Sequence, residues 1–68
     1  MPRQTVPASD VKALEKRATK ARISIGEAHE ALGISRVTWW RWTKNGAPME
    51  RFTLLENEIA RREAEAAA

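Results

Sequence analysis

The sequence predicts a small all-α protein, built as one bundle of four helices. Three observations lead to this fold class. Apolar residues recur three and four positions apart, glycine or proline interrupts the pattern at short intervals, and no segment alternates apolar and polar residues as a strand does. The helices are expected at about residues 10–21, 25–32, 35–44 and 48–64.

Length and composition set the scale of this bundle. A chain of 68 residues forms one domain, which we place at residues 9–62, between a flexible arm at residues 1–8 and a frayed helical tail at residues 63–68. Twelve of the 29 apolar residues are alanine. The core must therefore come from close packing of short helices, or from a partner that completes the fold.

Helix one follows Ser9 and Asp10, two residue types suited to an N-cap. Apolar residues at helical spacing form its predicted inner face: Val11, Leu14, Ala18 and Ala21. Its outer face is basic and carries Lys12, Lys16, Arg17 and Lys20.

The start and the end of helix two are marked by specific residues. Ser24 with Glu27 three residues later is a capping box that starts the helix. Gly33 ends it, because glycine adopts a positive φ at little cost. Leu32 and Ile34 flank this glycine and are expected to fill the angle between helices two and three.

Helix three begins after Ser35, an N-cap residue, and ends at Asn45 and Gly46. Trp39 and Trp42 lie three positions apart, so they share one face, which we assign to the core. Helix four opens at Pro48, where a missing N–H costs little. Its predicted inner stripe is Met49, Phe52, Leu55 and Ile59.

The charge is unevenly distributed along the chain. Lysine and arginine total 12 and the acidic residues 9, for a net charge of +3. Residues 1–48 hold nine bases and four acids, a net +5, whereas residues 49–68 hold three bases and five acids, a net −2. A basic body with a mildly acidic end suits a polyanion bound on one side.

Several function classes are excluded by what the sequence lacks. It has no cysteine and a single histidine, so we expect no metal and no other cofactor. It has no paired-carboxylate site, nucleophile–base pair or phosphate loop, so we expect no enzyme and no small-molecule ligand. No stretch is apolar enough to enter a membrane as a span or a signal sequence, and we expect a cytoplasmic protein.

The most informative segment is SIGEAHEALGISRVTWWRWTKNGAP, residues 24–48, with a short capped helix, a glycine turn and a second short helix. It resembles the helix-turn-helix of Cro/CI-type phage and bacterial DNA-binding regulators. The matching residues are Ile23, Ser24, Glu27, Ala28, Leu32, Gly33, Ile34, Ser35, Thr38, Arg41, Trp42, Gly46 and Pro48. The resemblance covers residues 11–60 and implies a transcription regulator in the nucleoid of a bacterial cell or phage-infected host.

Related families refine the resemblance. Residues 38–46 also resemble excisionase-type and MerR-type heads, which continue into a β wing, whereas the helical pattern from Met49 onward favours the all-helical class. The run from Arg41 to Leu55 is similar to phage activators of the lambda cII type. Two positions depart from the family pattern: His29 stands where the family has alanine, and Trp39 where it has an aliphatic residue.

The resemblance places helix three in the major groove of double-stranded DNA. At 100° per residue, Val37, Arg41 and Lys44 point away from the core, with Trp40 on one flank and Arg36 beyond it. Arg36 and Arg41 are the candidates for guanine, and Val37 for a thymine methyl group. Trp40 is assigned first to a DNA base contact, through thymine methyl groups or the neighbouring sugars, with a subunit interface or contact with helix four as the alternatives.

Backbone contacts are expected around this helix. Hydroxyls, a glycine at a helix N-terminus and basic side chains are the residue types that meet phosphates. The candidates are Ser24, Gly26, Ser35, Thr38, Lys44, Lys20 and Arg22, with Arg3 of the arm in addition.

We expect a homodimer on a palindromic operator, because one recognition helix reads only a few base pairs and two half-sites about 34 Å apart supply specificity. Helix four is the expected interface, through Leu54 and Ile59. The chain has little surface for recruiting polymerase, which favours a repressor over an activator. The alternatives are an excisionase-like architectural DNA binder and a protein-interaction module such as an antitoxin or phage inhibitor.

Overall fold

The fold is a bundle of four helices with one very short antiparallel sheet. It was obtained as a computed structural model that describes residues 4–67. The elements are β1 (Thr5–Val6), α1 (Ala8–Lys20), α2 (Ile25–Ala31), α3 (Arg36–Asn45), β2 (Ala47–Pro48) and α4 (Met49–Ala67). The predicted all-α class and its four helices are confirmed.

Serine caps begin the two short helices, as predicted. The Ser24 hydroxyl accepts a hydrogen bond from the Glu27 N–H at 3.2 Å, and the Ser35 hydroxyl accepts one from the Thr38 N–H at 3.2 Å. Each hydroxyl satisfies one of the free N–H groups of a first helical turn. Both helices therefore start at residues set by their own sequence.

The predicted start of α1 at Ser9 and Asp10 is wrong. The helix begins at Ala8, with Pro7 as an N-cap that has no side-chain hydrogen bond. The Pro7 carbonyl accepts from the N–H groups of Asp10 at 3.0 Å and Val11 at 3.3 Å. The extended backbone of Pro7 thus starts the helix two residues early, and Ser9 and Asp10 lie within its first turn.

Two residues with positive φ end the first two helices. Gly33, at φ 74°, follows α2 as predicted. Arg22, at φ 61°, has the same role after α1, where the Ile23 N–H donates to the Ala18 carbonyl at 2.8 Å. The left-handed region favours glycine, so an arginine here carries a conformational cost of roughly 1–2 kcal/mol.

The prediction of a flexible arm over residues 1–8 is wrong where the structure describes that segment. Thr5 and Val6 pair with Pro48 and Ala47 in the antiparallel β1–β2 sheet. Val6 and Ala47 are both buried, and this burial explains why the segment is held against the bundle. Residues 1–3, including Arg3, lie outside the described residues.

Gly46 makes this pairing possible. Its backbone, at φ 93° and ψ 176°, lies in a region that is essentially restricted to glycine. A Cβ atom on Gly46 would lie 2.4 Å from the carbonyl oxygen of Val6. The turn between α3 and α4 and the passage of β1 across it therefore require the same glycine.

The core lies between all four helices. Its buried members come from each element: Val6, Val11, Leu14, Ala18, Ala28, Ile34, Trp39, Trp42, Ala47, Phe52, Leu55 and Ile59. Met49, predicted in the inner stripe of α4, is 41% exposed, because the helix begins at this residue and its buried face starts at Phe52.

Ile59 corrects the predicted dimer interface. Its side chain is fully buried in the core of a single chain, so it cannot contact a second copy. Leu54, the other predicted interface residue, is 56% exposed. The helical repeat explains the difference, since Ile59 continues the buried row of Phe52 and Leu55 whereas Leu54 lies beside that row.

Ion pairs attach the end of α4 to the bundle. Arg17 of α1 donates from Nε to Glu63 Oε2 at 3.0 Å, and this hydrogen bond lowers the pKa of the Glu63 carboxyl and raises that of Arg17. Within α4, hydrogen bonds from Arg61 and Arg62 lower the pKa of Glu58. The predicted tail at residues 63–68 is helical as far as Ala67, and its first residue is held by Arg17. Ala68 lies outside the described residues.

The substitution Gly46→Ala is expected to destabilise the fold by about 1–3 kcal/mol, because it forces a side chain into a glycine-only conformation and against the Val6 carbonyl. Urea unfolding followed by circular dichroism measures this. The matched control is Gly26→Ala in the first turn of α2, where the added Cβ would meet only the Ser24 hydroxyl, at 3.8 Å. Equal stability of the two variants would contradict the role given to Gly46.

Candidate nucleic-acid interface

His29 joins α2, the following turn and α3. It is the buried polar residue of the core in the described part of the chain. Its Nδ1 lies 2.8 Å from the carbonyl oxygen of Ile34, and its ring stacks on Trp39 with centroids 5.6 Å apart and planes 14° apart. With a carbonyl as partner, Nδ1 carries the proton and donates. One imidazole thus holds the turn after α2 and the first turn of α3 together.

The two core tryptophans determine how α3 is rotated about its axis. Trp39 and Trp42 are buried, as predicted. Their rings pack edge to face, with ring centroids 6.3 Å apart. Because these side chains point into the bundle, the opposite side of α3 is presented outward. The space needed by Trp39 is lined by His29, so the two departures from the family pattern are in contact.

The outward side of α3 carries large apolar and basic side chains together. Val37 is 61% exposed and Trp40 is 58% exposed, and Arg41 and Lys44 are also exposed. The Lys44 ammonium lies 5.1 Å from the centre of the Trp40 ring, a cation–π arrangement. The predicted outward positions of these four residues are confirmed, whereas contact with DNA stays a prediction.

Arg36 and Arg41 do not lie side by side. Five residues apart, they are separated by about 140° around the helix. Arg36 lines an open groove of about 500 Å³ between α1 and α3, together with Trp40 and Lys44. Arg41 does not line this groove. Arg36 therefore lies on the flank of α3, and Arg41 lies on its outermost part.

The predicted phosphate-contact residues form a more scattered group. The hydroxyls of Ser24 and Ser35 are engaged as caps, and the Ser35 hydroxyl also donates to Thr38 Oγ1 at 3.0 Å. Gly26 is half-buried at the start of α2. Lys20 at the end of α1 and Arg22 in the turn after it are both exposed. Only Lys44 among the predicted phosphate contacts shares the groove with Arg36.

Lys12 is the site residue that sequence reasoning did not single out. It lies on α1 and lines the groove opposite Arg36, with Glu15 one turn further along. The helical pattern placed Lys12 on an outer basic face with Lys16 and Lys20. Nothing in the sequence shows that α1 packs beside α3, so that neighbourhood emerges only from the fold.

Residues 4–67 contain no candidate metal site and no candidate membrane span. No cluster of three or more histidine, cysteine, aspartate or glutamate side chains could hold a metal ion there. No helix in that range combines the length and the low polarity needed to cross a membrane. Comparison with known protein families, curated proteins and solved structures gave no match to this chain.

The substitution His29→Phe is expected to lower the free energy of unfolding by about 1–3 kcal/mol. Phenylalanine retains an aromatic ring against Trp39 but leaves the Ile34 carbonyl without its donor. Thermal unfolding at neutral pH measures the loss. Unchanged stability would show that the histidine contributes only its shape.

Proposed function

We propose that this protein is a sequence-specific double-stranded DNA-binding transcription regulator, with α2, the glycine turn and α3 as its helix-turn-helix and α3 as the recognition helix. The main support is that the two sides of α3 differ in character. One side is locked into the core by Trp39 and Trp42, while the other exposes Val37, Trp40 and Arg41. Exposed apolar side chains among cations are typical of a binding surface.

The outermost part of α3 has the chemistry for reading base edges. The Arg41 guanidinium can bind O6 and N7 of one guanine, and Val37 one turn earlier can contact a thymine methyl group. Lys44, near the end of the helix, offers a point charge to a phosphate. A helix about 10–12 Å across fits the major groove, which is about 12 Å wide.

The segment after α3 supports the all-helical, Cro/CI-like class over an excisionase-like binder. A β wing would require a hairpin after the recognition helix. In this chain β2 is two residues long, pairs with β1 and leads directly into α4 at Met49. We therefore favour a phage-type or mobile-element repressor that occupies its operator.

The protein is proposed to act as a homodimer on a palindrome, through the exposed side of α4. Leu54 is a large apolar residue that is 56% exposed on this helix. Its burial in a two-fold interface would add to a small core. The net −2 of residues 49–68 disfavours contact of this segment with DNA phosphates.

Selection from random duplexes at two salt concentrations tests the function. We expect recovery of a palindromic sequence and a steep loss of affinity with salt, because phosphate contacts release counterions. A chain that enriches no sequence over bulk DNA is not a sequence-specific regulator, and a protein partner bound without salt dependence would identify an interaction module instead.

Two substitutions on α3 separate reading of bases from neutralisation of phosphates. On the selected duplex, Arg41→Ala is expected to cost about 1–3 kcal/mol and to relax the preference at one base pair. Lys44→Ala is expected to weaken all duplexes alike and to reduce the salt slope by about one. Titration of both variants against matched and mismatched duplexes measures the difference. Identical specificity profiles in the two variants would contradict the proposed orientation of α3.

The dimer is tested by sedimentation with a pair of charge insertions. Leu54→Glu is expected to shift the protein toward monomer, because it places a charge in the proposed α4 interface. Val37→Glu puts the same charge on an equally exposed apolar position of α3 and is expected to leave the dimer intact while abolishing DNA binding. A wild-type chain that stays monomeric at roughly tens of micromolar, with and without DNA, would exclude the dimer.

A further inference from the structure

The groove between α1 and α3 is a distinct surface beside the outermost part of α3. Its volume is about 500 Å³, and it is open to solvent. Lys12 and Glu15 line it from α1, and Arg36, Trp40 and Lys44 line it from α3. Two helices that are far apart in sequence thus present a single concave surface.

The groove is electropositive and its cations are free of structural ion pairs. It has three cationic side chains, Lys12, Arg36 and Lys44, against the single carboxylate of Glu15. In the part of the chain that the structure describes, the ion pairs involve Arg17, Arg61 and Arg62, and none involves a groove cation. Like charges gathered without partners favour an anionic ligand.

Trp40 adds an apolar surface to this anion-binding chemistry. It is 58% exposed on the groove side of α3, with the Lys44 ammonium over its ring. A phosphate needs cations, and the sugars between phosphates offer apolar edges to an aromatic ring. The combination of cations with an exposed indole fits a sugar–phosphate chain better than it fits an isolated anion.

We propose that this groove holds the sugar–phosphate backbone of the DNA strand that borders the major groove on the α1 side. Lys12 and Arg36 neutralise its phosphates, and Trp40 packs on the adjoining sugar. The inference rests on the proposed function, because a helix that fills the major groove has a phosphate backbone along each flank. It makes α1 a second DNA-binding element and assigns Arg36 to backbone rather than bases.

Glu15 offers a test of the proposal, because its negative charge would repel a phosphate bound in the groove. The carboxylate is half-buried in the groove, one helical turn from Lys12. A phosphate seated there is repelled by Glu15, so Glu15→Gln is expected to strengthen binding to every duplex. A groove that does not contact DNA predicts no change.

The test is the salt dependence of binding to the selected duplex, with Lys12→Ala compared with Lys16→Ala. Lys16 lies on the same helix, is exposed and does not line the groove. Loss of one phosphate contact lowers the slope of log K against log salt by about 0.9. We expect this change for Lys12→Ala alone, with the same loss on mismatched duplexes. A wild-type slope for Lys12→Ala, or equal changes in both variants, would overturn the inference.

The environment of Trp40 gives a second readout. Trp39 and Trp42 are buried, so quenching by acrylamide reports mainly on Trp40, and the variant Trp40→Phe supplies the background. Duplex binding is expected to protect Trp40 from the quencher. If Trp40 stays fully accessible while Arg41→Ala still relaxes specificity, the groove inference fails and the proposed function stands. If the wild-type chain binds no duplex, both fail.

Discussion

His29 links the turn after α2 to the core side of α3 through its contacts with Ile34 and Trp39. A single imidazole holds the turn carbonyl at 2.8 Å and stacks on the first core tryptophan of α3. Through Trp39 and its edge-to-face neighbour Trp42, this contact sets the rotation of α3. The rotation in turn decides which side chains face outward. A change in this buried contact is therefore expected to alter a surface that His29 does not touch.

The other end of α3 is fixed by backbone rather than side chains. Gly46 lets β1 cross close to the turn, and the paired strands then lead directly into α4. With Ser35 capping its first turn, α3 is constrained at both ends. A helix held in this way would lose little conformational freedom if it bound a partner, which is the physical advantage of a preorganised surface. The acidic α4 is tied to α1 through Arg17 and Glu63.

Local signals in the sequence were sufficient for most of the fold. The serine caps, Gly33, Gly46 and the spacing of Trp39 and Trp42 predict the short helices and their core faces, because each acts within one helical turn. Features that depend on contacts between distant segments were not predicted from the sequence. The pairing of β1 with β2 depends on segments about 40 residues apart, as the register of Thr5 with Pro48 shows. The placement of Lys12 beside Arg36 depends on the packing of α1 against α3. Helix periodicity alone therefore could not predict the α1 side of the groove.

We propose that the outward side of α3 is the surface that meets DNA. Amide and indole chemical shifts, followed by NMR while the selected duplex is titrated into the protein, report which residues contact the DNA. The largest changes are expected at Val37, Arg41, Lys44 and the indole N–H of Trp40, with the buried indoles of Trp39 and Trp42 little affected. Changes confined to α4, with α3 unperturbed, would contradict it.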